Sequence, residues 1–140
     1  MPYVTPNIHL TGQCKDAIQT YIKAFGAEVK YVAYYSDFPE EYAKWGISGE
    51  NAREFVYHSE IIICGQQVYL SDSIGDTHNN RGCGSTISLA ITFETNDGVR
   101  GAYEILSDGA AIIYPMQETS HSSIFVSLVD EYGVRWELMT

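Results

Sequence analysis

"PNIHLTGQCKDAIQTYIKAFGAEVKYVAYY", Pro6 to Tyr35, changes its hydrophobic period twice. Pro6 to Gly12 alternates apolar and polar residues as a strand does. Cys14 to Phe25 sets Ala17, Ile18, Tyr21, Ile22 and Phe25 at the i, i+3 and i+4 spacings of an amphipathic helix. Gly26 is the natural stop for that helix, and Ala27 to Tyr35 returns as a strand. Beyond a loop holding Pro39 and Trp45, "EFVYHSEIII" (Glu54 to Ile63) and "QVYLSD" (Gln67 to Asp72) read as a hairpin around Cys64-Gly65-Gln66. The first half is thus βαβββ.

The second half repeats this order. "STISLAITFE" (Ser85 to Glu94) reads as strand, "DGVRGAYEILS" (Asp97 to Ser107) as helix with Gly109 as its stop, and "AAIIYPM" (Ala110 to Met116) as strand. A last hairpin follows at "IFVSLV" and "RWEL". A slide of 83 positions lays Ile8 on Ile91, Ile22 on Ile105, Gly26 on Gly109, Ala27 on Ala110 and Tyr31 on Tyr114. The terminal hairpins align at a shift of 68, with Gly65 on Gly133, Leu70 on Leu138 and Tyr69 on Glu137. Two βαβββ modules, 1–75 and 84–140, within one α+β domain are the expectation. Each module would cover one sheet face with its helix, and pairing the two uncovered faces would close a cavity.

Composition narrows the partners. The chain of 140 residues carries 18 acidic against 8 basic residues, a formal net charge of -10, so a phosphate backbone or an anionic membrane is repelled. Three cysteines, Cys14, Cys64 and Cys83, form no C-x-x-C pair, which argues against a disulfide framework and a thiolate zinc site and for a reducing cytosol. No window approaches the roughly 18 apolar residues of a membrane helix, and the N-terminus does not read as a signal peptide. A soluble cytoplasmic protein is expected.

Several side chains could carry chemistry. In "DEYGVRWEL" (Asp130 to Leu138) a turn at Tyr132-Gly133 leads into a strand whose Trp136 and Leu138 face the core while Arg135 and Glu137 share the other face. Glu137 can be a solvated charge, a metal ligand, a pocket carboxylate or the ion-pair partner of Arg135. If Ile8 and Leu10 face the helix, His9 faces the cavity with Asn7 and Thr11, either for a ligand or as a hydrogen-bonded structural histidine. His58 and Glu60 share a strand face as an acid/base couple or a plain ion pair. Tyr69 brings a phenol to the cavity or is a half-buried strand tyrosine. Asp72 closes its strand in a turn or capping role. Trp45, with Phe38 and Tyr42, either lids a flat ligand or pins its loop to the core. The histidines His9, His58, His78 and His121 show no i, i+2 or i, i+4 pair of the metal-binding kind. "TSHSSIF" lacks a nucleophile elbow, and "RGCGS" leads into a strand rather than the helix start a phosphate site needs.

The segments "TPNIHLTGQCKDAIQTYIKAFGAEV", "VYHSEIIICGQQVYLSD" and "VDEYGVRWEL" together resemble the PhnB-like branch of the vicinal oxygen chelate superfamily, the glyoxalase and bleomycin-resistance proteins. One departure is Glu131, where the branch usually has proline after the aspartate of the last turn. The resemblance implies paired βαβββ modules, a cupped mixed sheet with helices on its outer face, and a homodimer. It also implies a metal in many members, with ligand positions within Thr5 to Asn7, near Tyr69, within Ser88 to Ala90, and at Glu137. Among these only Glu137 is a usual ligand, so no metal and no cofactor are expected. A small organic ligand, met by Glu137, Tyr69, His9, His58, Glu60 and Trp45, is the favoured function. The alternatives are a metal-dependent lyase, isomerase or dioxygenase, and an antibiotic-sequestering protein. No glycine-rich cofactor loop supports a methyltransferase.

Overall fold

The apolar stripe at Ala17, Ile18 and Tyr21 sets the first helix against a sheet, and Gly26 ends it. In a computed structural model, which describes residues 1–40, 54–73 and 86–140, α1 runs over Cys14–Phe25 and Gly26 takes φ 67, donating its N–H to the Ile22 carbonyl. Cys14, Ala17, Ile18 and Tyr21 are buried. Around α1 lie β1 (Asn7–Leu10), β2 (Glu28–Tyr34), β3 (Val56–Ile63) and β4 (Gln66–Asp72). The second half supplies β5 (Leu89–Thr92), α2 (Asn96–Leu106), β6 (Ala111–Gln117), β7 (Phe125–Val129) and β8 (Arg135–Met139). The helix boundaries fall within one residue of the sequence reading. Several strands are shorter than expected: β1 stops at Leu10, β2 gives way to a 3-10 turn at Tyr35–Asp37, β3 begins only at Val56, and β5 is confined to Leu89–Thr92.

Each half makes a mixed four-stranded sheet of the same topology, β1-β4-β3-β2 in the first and β5-β8-β7-β6 in the second. In both, the first and last strands of the half pair parallel and the remaining pairs are antiparallel. The repeat is visible in the registers. Ile8 faces Leu70 as Ile91 faces Leu138, and Asn7 faces Tyr69 as Ala90 faces Glu137. Gly109 takes φ 74 beside Gly26's 67, and Gly133 φ 90 beside Gly65's 82, so the shared glycines are left-handed positions that a Cβ would strain; Gly26 caps α1 directly, whereas α2 is capped by Ser107 and Gly109 turns the chain two residues later. The α+β, paired-module fold expected from the sequence is present. The chain divides into two compact units, Met1–Ile22 with Gly26–Asn79, and Lys23–Phe25 with Asn80–Thr140.

In the first unit Leu10, Val56, Ile61, Ile63, Val68 and Leu70 are buried on the helix side. In the second, Ile91, Val126, Leu128, Trp136 and Leu138 are buried together with Val99, Ala102 and Leu106 of α2. α2 starts conventionally, with the Thr95 hydroxyl accepting from the Gly98 N–H. α1 does not, because Gln13 makes no side-chain cap. Its start is held from far along the chain by Asp72. Asp72 Oδ1 accepts from the N–H groups of Gly12 (2.7 Å) and Cys14 (3.1 Å), and Oδ2 from Val56 N–H (2.9 Å). The capping role foreseen for Asp72 is therefore real but not local: the carboxylate is 1% exposed and joins β4 to both α1 and β3. Among the described residues no helix is long and apolar enough to cross a membrane.

Burial beside Asp72 governs Cys14. Desolvation, reinforced by the Asp72 carboxylate and only partly relieved by the Ser59 hydroxyl, pushes its thiol up to about 12. Cys64, at the tip of the β3–β4 turn, is exposed. Iodoacetamide applied to native protein at neutral pH is expected to modify Cys64 and spare Cys14, whose thiolate is absent and whose sulfur is covered. Peptide mapping reads this. Because the folded thiol titrates above the ordinary value of 9.0, the stability tied to protonated Cys14 is complete below that pH. It is lost as the pH rises towards about 12, when Cys14 labelling should appear with unfolding.

Candidate functional site

Strand alternation sends one set of side chains towards α1 and the other to the opposite face of the first sheet. On β1, Leu10 is buried while Asn7 and His9 are exposed; β3 and β4 bury Ser59, Ile61, Val68 and Leu70 and leave His58, Glu60, Tyr69 and Ser71 on the open side. Cross-strand register collects these groups. Tyr31 and Tyr69 both lie opposite Glu60, Ala33 lies opposite His58, and Ser71 lies opposite His9. A cleft of about 500 Å³ opens there, lined by Asn7, His9, Tyr31, Ala33, Tyr57, His58 and Ser71.

His58 is the best-connected member. Its Nε2 lies 3.4 Å from Glu60 Oε1, both side chains being about one-third exposed. Its ring lies edge-on to Tyr69 with centroids 4.9 Å apart, and 6.3 Å from Tyr31. A carboxylate only accepts, so the contact uses the Nε2–H tautomer and leaves Nδ1 for other work. His9 lies within reach of two hydroxyls, with Ser71 Oγ at 3.3 Å and Ser73 Oγ at 3.4 Å from Nδ1. It is at once hydrogen-bonded and open to the cleft, so the two readings of His9 do not exclude each other.

Of the residues singled out from the sequence, His9, His58, Glu60 and Tyr69 share this one face. Glu137 belongs to the second unit's sheet. There Ser88 Oγ donates to Glu137 Oε1 at 2.8 Å, and Arg135 Nη2 lies 3.7 Å from Oε2, with side chains 17% and 24% exposed for arginine and glutamate. The cationic neighbour expected along the strand is there, and Ser88 is an addition. Trp45 and Tyr42 lie outside the described residues, as do His78 and Cys83; Phe38 packs on Tyr57 with centroids 5.0 Å apart.

Tyr31, Ala33, Tyr57 and Ser71 were not singled out. Tyr31, Ala33 and Ser71 follow from alternation once the pairing with His58 and His9 is known, but the pairing itself is non-local. Tyr57 is different. It sits next to His58 and still lines the same cleft, because the β2–β3 register skips it between the Ala33–His58 and Tyr34–Val56 pairs. Such an irregularity breaks the period-two rule and leaves no mark in the sequence.

No protein-family model matches the chain. It is 22% identical over 137 residues to Protein YjdN of Escherichia coli K12, covering 95% of this chain and 91% of the relative. Among solved structures it is similar to a PhnB protein from Bacillus cereus, with a TM-score of 0.79, 23% identity, and 99% and 98% of the two chains covered. It is also similar to a glyoxylase/bleomycin resistance protein/dioxygenase domain from Frankia sp. EAN1pec, with a TM-score of 0.65, 12% identity, and 99% and 96% covered. These neighbours bear out the resemblance read from the sequence: the chain has the fold of the PhnB-like and glyoxalase-type proteins of the vicinal oxygen chelate superfamily.

Proposed function

We propose that the open face of the first module's sheet binds a small organic molecule and that this does not depend on a resident metal. The observation carrying this reading is the cleft of about 500 Å³, in the size range of ligand pockets and walled by aromatic rings with a few convergent polar groups. We place it on one glyoxalase-like domain of modules 1–75 and 84–140, acting in the cytosol as a homodimer, with enzymatic turnover left open.

The donor set supports the metal-free part. A catalytic divalent ion needs about three His, Asp, Glu or Cys ligands. The first pair of ligand positions holds Asn7 opposite Tyr69, and the second Ala90 opposite Glu137, whose carboxylate already has Arg135 beside it. This set does not fit such an ion. Protein purified without chelator is expected to carry well under one equivalent of zinc, nickel, manganese or iron. Near-stoichiometric metal, lost in Glu137→Gln, would overturn this part.

The cleft is tested by a thermal-shift screen of small molecules on wild type and Asn7→Trp. Asn7 is exposed, so the new ring fills the cleft without entering the core. Loss of the wild-type hits in Asn7→Trp is the expected result, and their survival excludes the cleft. A second reading puts the ligand at Glu137, a carboxylate still partly open. Under it Asn7→Trp binds normally, whereas Glu137→Gln weakens a cationic or hydrogen-donating ligand by about 1–3 kcal/mol.

A further inference from the structure

We infer that the cleft on the first sheet selects an uncharged, flat ring bearing an N–H or O–H donor, with His58 Nδ1 as the acceptor and Glu60 as the residue that positions it. This rests on the cleft being the binding site. Three observations lead to it. The walls are unsaturated: Tyr31, Tyr57, His9 and His58 line the space, and Tyr69 backs His58 at 4.9 Å, so the complementary surface is a π-face. No lysine or arginine is among the lining residues, and the chain's net charge is -10, so a permanent anion finds no counter-charge and meets long-range repulsion.

The third observation is the orientation of the imidazole. Glu60 is not among the cleft-lining residues, while His58 is. The carboxylate therefore holds Nε2–H from beside the cleft, at 3.4 Å, and the neutral ring keeps its lone pair on Nδ1. A ligand without a donor would leave that acceptor unmatched on desolvation. A site built around a hydrogen bond discriminates strongly against an analogue lacking it.

The test uses 4-methylphenol and its O-methyl ether, 4-methylanisole, which keep the same ring and methyl group and differ in the donor. Calorimetric titration near pH 8, where the phenol is uncharged and an ordinary histidine is neutral, gives both affinities for wild type, His58→Phe and Glu60→Gln. Wild type is expected to prefer the phenol about tenfold, in keeping with one hydrogen bond to an acceptor that the ligand itself would desolvate. His58→Phe, which keeps an aromatic ring, should lose the preference while still binding the ether. Glu60→Gln keeps an uncharged acceptor for Nε2–H and should retain part of the preference. A merely structural role for Glu60 would weaken both probes alike and leave their ratio untouched. Equal binding of the two probes by wild type would overturn the inference and leave the cleft standing. Binding of neither probe overturns it too, and the separate screen on Asn7→Trp then decides whether the cleft binds anything.

Discussion

Asp72→Ala is expected to lower the stability of the fold by about 4 kcal/mol, because it strands the N–H groups of Gly12, Cys14 and Val56 together. Each is a main-chain donor with a protein partner, buried at Cys14 and Val56 and part-buried at Gly12, and an unmatched buried donor costs about 1–3 kcal/mol. The losses overlap, since relaxation at one donor changes the others. Urea unfolding followed by circular dichroism gives the number. Asp72→Asn keeps one acceptor oxygen but turns its amide NH2, itself a donor, towards a main-chain N–H, so it should fall between alanine and wild type. A loss below about 1 kcal/mol for alanine would show that these donors find other partners. The neighbouring Tyr35 gives a second readout. Its hydroxyl donates to the Asp72 main-chain carbonyl at 2.8 Å, and its phenol is held above the ordinary value by burial, then by the Asp72 and Tyr57 charges. Opening this corner should bring Tyr35 ionisation back towards normal in a spectroscopic titration.

Trp136→Ala should cost a similar amount, roughly 3–5 kcal/mol, for a different reason. The ring is 1% exposed and lies against Phe25 with centroids 4.8 Å apart, so its removal leaves a cavity in the second unit. Its Nε1–H also donates to Asp130 Oδ2 at 2.8 Å, and that aspartate is 4% exposed. Trp136→Phe separates the contributions: it retains most of the packing and loses the hydrogen bond, for about 1–3 kcal/mol. If alanine and phenylalanine cost the same, the cavity contributes nothing and the packing account fails. Neither substitution should alter the choice between ligands at the first module's cleft.

The fold was legible because it is written twice. Gly26 and Gly109, and Gly65 and Gly133, share left-handed conformations, and the Ile8 and Ile91 pairings match in register, so weak local signals reinforced one another. Strand faces were readable wherever alternation held, as at Trp136 and Leu138 in the core with Arg135 and Glu137 opposite. Where the ladder is irregular the reading stopped, and Tyr57 is the example. Partners distant in sequence were also beyond reach. Nothing in "SEIIICGQQVYLSD" tells that its final aspartate holds the start of a helix, nor that Ser88 meets Glu137. The contact between His58 and Glu60 could be named because they are two residues apart on one strand, the shortest separation that shares a face.

The long reach of Asp72 also sets an order of events. In the second half the helix cap closes between Thr95 and Gly98, and Asp130 gathers Tyr132, Val134 and Trp136 across at most six positions, so both form as soon as a short loop closes. In the first half the start of α1 waits for residues 60 and 58 positions apart to meet. The entropy of closing that loop comes before any reward, and contacts so remote slow a folding reaction. Two halves of identical topology, each closed by pairing its first strand with its last, therefore differ in how their helices begin: the cap of α2 is local, and that of α1 is complete only when β4, the last strand of its half, arrives.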